Sequence, residues 1–238
     1  MSDDLDAALR RADPDRWLSS RFISDASKRA DVIAIYAFNQ ELARTVVGAR
    51  EPMVAEIRLT WWREGLDELL AGKPPRGDPV MQALAQAIQR NNLAAAPLEA
   101  LVESSFDDLD TEPFADDMAL VRYLDASSGA ILALACAITG GVDAGPLRPA
   151  AHAWGLVGLV RRRAAGVDRF PSSWSPDEAA ARACQALAAT RAPISALPVE
   201  AFPAVAHLTL VAGYLSGREP SELEKRARVT WAVLRGRV

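Results

Sequence analysis

The chain is poor in the residue types that announce several common functions. Its two cysteines, Cys136 and Cys184, sit far apart in apolar, helical-looking sequence. They exclude a disulfide framework and a cysteine zinc site. Its two histidines, His152 and His207, lack a nearby partner at metal spacing, so both read as packed side chains. Aromatics make up only 6% of residues, and no alternating apolar–polar run marks a strand. A net charge of -4 gives no cation excess to attract nucleic acid, so no nucleic-acid partner is expected. The longest apolar run, Ala130 to Thr139, falls short of the roughly 20 residues that cross a bilayer. The first residues, MSDDLDAALRRADPDR, are acidic and lack the apolar core of a signal peptide. A cytoplasmic location follows as the expectation, with peripheral contact at an inner membrane left open.

What the chain has is alanine and helical periodicity. Half of its residues are hydrophobic, enough to bury one sizeable core. Apolar residues at Val32, Ile33, Ile35, Tyr36, Phe38, Leu42, Val46 and Val47 keep a period near 3.6, which predicts a helix from Ser27 to Val47. Pro52 suits a first helical turn, and a second helix should run from Met53 to Leu70. The stretch GKPPRGDP, residues 72–79, is a loop. Further helices are predicted over Val80–Asn91, Pro97–Asp108, Asp116–Gly140 and Ala150–Ala165. Others follow over Pro176–Arg191, Ala204–Ser216 and Glu222–Leu234. Asp116–Gly140 is apolar on most sides and reads as buried. The fold class is therefore all-α, with residues 1–238 as a single domain.

Six segments carry a family pattern in their order and spacing. They are Asp15-Arg16-Trp17-Leu18 with Arg29, the helix beginning Tyr36-Ala37-Phe38, and the run Arg58-Leu59-Thr60-Trp61-Trp62-Arg63. The others are Ser105–Leu109 with Tyr123 and Ser127-Ser128-Gly129, and the pair His152–Val160 and Ala204–Leu215. Together these resemble the squalene/phytoene synthase family. The resemblance implies an isoprenoid-synthase-like helical bundle around a central apolar cavity. In active members, two aspartate motifs facing that cavity hold magnesium and a prenyl diphosphate. Here the first motif aligns on Asn39, Ala43, Arg44 and Val47. The second falls on Leu159, Ala165 and Gly166, with Asp168 as a remnant acid.

Carboxylates at i and i+4 share one helical face, which is why such a motif can grip a hard cation through oxygen. Alanine and valine at positions 43 and 47 offer no such ligand, whereas Arg44 could hold diphosphate as a guanidinium fork. The resemblance implies a pocket including Tyr36, Glu41, Arg58, Trp62, Ser128, Gly155 and Arg161. No cofactor is expected. The acidic stretch containing Asp107, Asp108 and Asp110 offers a relocated magnesium site on one reading and a solvated helix end on the other. The segment Tyr36-Ala37-Phe38-Asn39-Gln40-Glu41-Leu42-Ala43 resembles an aspartate-depleted branch of the family, that of a mitochondrial complex I assembly factor. That resemblance implies a pseudo-enzyme binding an isoprenoid or lipid, or a protein partner in a membrane complex. The alternative is an active prenyltransferase with atypical metal ligands, and only that reading calls for magnesium. The basic segment Lys225–Arg237, with Trp231 and Leu234, reads either as a final docking helix or as an interfacial contact.

Overall fold

The computed structural model describes residues 2–49, 51–175 and 177–238, and no strand occurs among them. Two short helices open the chain, α1 (Ser2–Ala12) and α2 (Pro14–Ser20). The sequence pattern misses both, because α1 offers only a few apolar residues on one side. Asp13 caps α2 by accepting from the Arg16 backbone N–H at 3.1 Å. Asp25 does the same for α3 (Ala26–Val47), accepting from Ser27 and Lys28. Such side-chain acceptors satisfy amide groups that a helix start leaves free.

The next helices follow the periodic segments within a residue or two. They are α4 (Pro52–Leu70), α5 (Pro79–Asn91), α6 (Ala95–Asp107) and α7 (Asp117–Leu124). A π-helical turn at Asp125–Gly129 joins α7 to α8 (Ala130–Gly140). Taken together, residues Asp117–Gly140 make one helix long and apolar enough to cross a membrane. More than half of its most apolar window is buried within the fold (56%), as expected of a core helix. Then come α9 (Arg148–Ala164), α10 (Glu178–Ala189), α11 (Arg191–Ser195), α12 (Val211–Leu215) and α13 (Glu222–Arg235). Pro176, where the periodic pattern starts the α10 segment, lies outside the described residues.

One predicted helix forms differently. Ala204–Ser216 should be a single α-helix, yet 3₁₀ turns occupy Phe202–Ala204 and Ala206–Leu210 before α12 begins. The cause lies far away in sequence. Ser19 of α2, fully buried, donates its hydroxyl to the Pro203 carbonyl at 2.6 Å and accepts from the His207 N–H at 3.2 Å. In an α-helix those two backbone groups would bond each other. The inserted hydroxyl takes both and holds the segment in the tighter form.

The core is organised around α3. Every residue from Val32 to Phe38 is buried, and α1, α2, α4, α5, α6 and α8 all pack against this helix. Phe38 meets Trp62 of α4 edge to face, with ring centroids 5.8 Å apart. Helix α9 packs on α10, α12 and the π-helical turn, and thus stands across from the C-terminal half of α3.

Replacing Ser19 by alanine should strand a buried carbonyl and a buried amide. Ser19→Ala is expected to lower the unfolding free energy by about 1–3 kcal/mol, measured by urea denaturation, with unchanged helix content overall.

Candidate functional site

Where α3 emerges from its neighbours, a cleft of about 370 Å³ opens. Its walls come from α3, α6, α7, the π-helical turn and α9. Asn39 and Ala43 line one side, Gly155, Gly158 and Leu159 another, and Ser127 and Ser128 a third. The close approach of α9 requires Gly155. A Cβ there would lie 2.5 Å from Leu124 Cδ2 and 2.6 Å from Ser128 Oγ.

The charge of this cleft is cationic. Arg16, Arg161 and Arg162 line it, against the single carboxylate of Asp108. Three donors converge on one oxygen of that carboxylate. The Tyr123 hydroxyl donates to Asp108 Oδ1 at 2.9 Å, Arg162 donates to the same oxygen, and Arg169 Nη1 stands 3.4 Å away. Arg169 is only 4% exposed, and its guanidinium lies 4.3 Å from the Phe114 ring centroid and 5.5 Å from that of Tyr123. Burial, reinforced by the Asp108 charge, pushes the Tyr123 phenol well above its ordinary pKa, so it stays a donor. Arg161 reaches the rim, 3.6 Å from Glu219 and stacked 5.1 Å from the Tyr214 ring centroid.

Magnesium does not fit this arrangement. A hard dication requires several oxygen ligands, and the cleft's one carboxylate already serves two guanidinium groups and a phenol. Among the described residues, no group of three His, Cys, Asp or Glu side chains is placed to hold a metal. Asp107 is exposed. Asp110 accepts from the Glu112 backbone N–H at 2.9 Å, closing a local turn.

The residues that the sequence grouped as one pocket divide between two openings. Ser128, Gly155 and Arg161 belong to the cleft. Glu41, Arg58 and Trp62 instead line a separate groove of about 510 Å³ between α3 and α4. Arg44 also faces that groove, donating to Glu41 Oε2 from Nε at 2.9 Å. Val47 stands 86% exposed near the end of α3. On the second motif, Leu159 is buried in the cleft wall, Ala165 ends α9, and Gly166 turns the chain at φ +95°. The Asp168 carboxylate accepts from the Phe170 N–H at 3.1 Å within its own turn and does not line the cleft. His152, expected to be packed, instead bonds the Asp125 carboxylate at 2.6 Å. On α4, Glu64 and Glu68 clamp Arg76 from the loop at 3.3 and 2.8 Å.

Inward, the cleft narrows to a void of about 10 Å³. Tyr36 borders it, buried beneath the Arg16 guanidinium 5.6 Å above its ring centroid. His207 also borders it. Its ring meets Trp154 edge to face at 4.7 Å, and its Nδ1 has no hydrogen-bond partner. Burial, with the nearby Arg16 charge, holds the His207 imidazole well below its ordinary pKa of 6.5.

Arg169 and the bond between Asp108 and Arg162 escaped sequence reading, because nothing local marks a buried guanidinium. Arg16 was visible as part of Asp15-Arg16-Trp17-Leu18, and the α9 cations as the run Arg161-Arg162-Arg163.

This architecture, two helices facing each other across a cleft inside an all-helical bundle, is that of the isoprenoid synthases. Over 97% of this chain and 94% of the other, it superposes on a dehydrosqualene synthase crystallised with a ligand, at TM-score 0.76 and 14% identity. A squalene synthase, HpnC from Alicyclobacillus acidocaldarius, matches over 99% of this chain and 94% of its own, at TM-score 0.69 and 18% identity. The model of the squalene/phytoene synthase family matches residues 9–191, and the chain belongs to that family. Among curated proteins it is similar to NADH dehydrogenase (ubiquinone) complex I, assembly factor 6. The Homo sapiens protein is 28% identical over 152 residues and the Bos taurus protein 27%. These alignments take in 64% of this chain and 45% of each relative, so the chain spans under half the length of the curated relatives it matches.

His207 makes a pH prediction. The unfolded chain takes up a proton near pH 6.5 while the folded imidazole resists it. Unfolding is therefore favoured as pH falls below that value, by at most about 1.4 kcal/mol per pH unit. His207→Phe should flatten the fall in unfolding free energy between neutral and mildly acidic pH. An unchanged slope would assign the pH dependence elsewhere.

Proposed function

We propose that this chain is a non-catalytic member of the family. It holds an anionic ligand with an apolar tail, a prenyl diphosphate or a lipid, and assists assembly of a respiratory membrane complex. The observation that carries this reading is the cleft's charge. Three arginines face a space whose single acid is already neutralised, and Ala43 stands where the resemblance would place an aspartate. Guanidinium groups recognise phosphate and carboxylate oxygens directly, without a bridging metal. Below them Ile131, Trp154 and Leu159 offer an apolar floor for a tail. The likeness to complex I assembly factor 6 supports the assembly role and names the kind of partner, a protein of a membrane complex.

An active prenyltransferase with substitute acids is the alternative. The acids available to it are badly placed. Glu41 binds Arg44 in another groove, Asp108 is taken, and Asp168 caps its own turn. Ionising an allylic diphosphate without a metal would forgo the electrostatic stabilisation on which the step depends.

Incubation with magnesium and farnesyl or geranylgeranyl diphosphate should release no diphosphate and give no coupled product. The same compounds without magnesium should raise the melting temperature. At about a hundredfold excess over Kd the gain should be roughly 2.7 kcal/mol, with a negative heat-capacity change on binding. Arg161→Gln with Arg162→Gln should weaken binding roughly tenfold or more. A coupled product, or stabilisation that requires magnesium, would restore the enzyme reading.

A further inference from the structure

Helix α13 docks on the fold through one side and leaves an apolar stripe on the other. Lys225, Val229 and Ala232 are buried. Leu223, Trp231 and Leu234 are 78%, 56% and 73% exposed. At about 100° per residue these three, with Ala227 between them, fall within a stripe about 80° wide on the opposite face. An apolar stripe facing solvent is the reverse of what a helix on a soluble core normally presents.

Cations border the stripe on both sides. By the same helical spacing, Arg226 lies along one edge, and Arg228 and Arg235 along the other, while Arg237 follows the left-handed Gly236 that ends the helix. Arg235 stacks on Trp231 at 4.2 Å from its ring centroid. The acid nearest the stripe, Glu224, is occupied by Arg218 at 2.7 Å and Arg228 at 2.8 Å. At the end of the helix, Arg191 and Arg237 share a groove of about 420 Å³. Among the described residues, no carboxylate pairs with Arg191, Arg226 or Arg237.

We propose that α13 lies flat on an anionic lipid bilayer, with Leu223, Trp231 and Leu234 entering the acyl boundary. Arg226, Arg235, Arg237 and Arg191 then meet lipid phosphates. This goes beyond the cleft's ligand and stands on different residues. The charge pattern chooses the occupant. Interfacial helices carry arginine beside an apolar face and sit at the level of the headgroups, and each basic residue near an anionic leaflet adds attraction. The second exposed stripe, Met53, Ile57 and Trp61 on α4, lacks this pattern. Glu56 lies along one edge and Arg58 along the other, and Glu64 follows Trp61 on the same face, so acids outnumber cations there.

The test is co-sedimentation of the full chain with vesicles of phosphatidylcholine alone, or with about one third phosphatidylglycerol. Binding should require the anionic lipid and weaken with added salt. Trp231→Ser with Leu234→Ser should reduce it roughly tenfold or more. Arg226→Gln with Arg237→Gln should reduce it and flatten its salt dependence. All these positions are exposed, so melting temperatures should hold. Arg162→Gln, in the cleft, should leave vesicle binding intact while weakening prenyl diphosphate binding. That separates this proposal from the ligand reading. Equal binding to both vesicle types, no binding at low salt, or wild-type binding by the stripe variants would overturn it. So would loss of vesicle binding in Arg162→Gln, which would place the lipid in the cleft. A dimer in solution that Trp231→Ser dissociates, without vesicle binding, would give the face to a second copy and equally overturn it.

Discussion

The enclosure of α3 is the constraint from which the rest of the molecule follows. From Val32 to Phe38 this helix shows no face to solvent, so six other helices must be arranged around it. Enclosure ends near Asn39, and the helix continues to Val47 with its sides open. One side then borders the cleft through Asn39 and Ala43, the other the groove holding Glu41 and Arg44. Any chemistry placed on the outer half of α3 is displayed by a rigid rod whose inner half cannot shift without repacking the core. The second wall is equally fixed, since Gly155 allows α9 to press against Leu124 and Ser128 with no room for even a methyl group.

On that scaffold, Asp108 sets the sign of the cleft. A carboxylate shared by Tyr123, Arg162 and Arg169 does more than neutralise. Arg169 is buried, and a buried guanidinium without its counter-charge is costly. Drawing Asp108 toward a metal would leave that cation exposed to an apolar surrounding of Phe114 and Tyr123. The network is therefore self-locking. Of the cleft's other two cations, Arg16 pairs with Asp13 at 3.4 Å and Arg161 with Glu219 at 3.6 Å, both acids outside the cleft lining. Arg161 and Arg162 also sit in the last turn of α9, where they complement the negative end of the helix dipole. In that position they stay charged and close together without an anion to separate them.

How legible this was in the sequence depends on the range of the interaction involved. The long helices α3 and α4 follow from their own apolar spacing, and the start of α4 from Pro52, because both signals are local. The 3₁₀ segment after Phe202 was invisible because the hydroxyl that reshapes it belongs to Ser19. The residues grouped as one pocket divide between openings for a related reason. Tyr36, Glu41 and Arg58 occupy family positions, but sequence order does not say which side of α3 each residue serves. Ala43, Ser128 and Leu159 do meet in the cleft, where motif spacing on facing helices gave enough information. Arg169 could not be found at all. A lone arginine after a loop looks solvated until the fold brings Asp108 and two aromatic rings around it.

Cleft size adds a further constraint on what can bind. About 370 Å³ lies near the small end of ligand sites, and the space beneath it shrinks to about 10 Å³ behind Trp154. That inner void is roughly the size of a single water, and its polar border suits one, since His207 Nδ1 lacks a partner there. A long prenyl tail threaded inward would have to displace Trp154 from its edge contacts with His207 and Tyr214. Without that movement the tail lies along Ile131 and Leu159 and leaves by the mouth. On the proposed reading, recognition then rests on the anionic head against Arg16, Arg161 and Arg162, and tail length should matter little. An enzyme coupling two tails needs the opposite, a deep apolar channel that measures and aligns both chains. The closed interior and the cationic rim thus both support the reading proposed above, in which one head group is held and no coupling takes place.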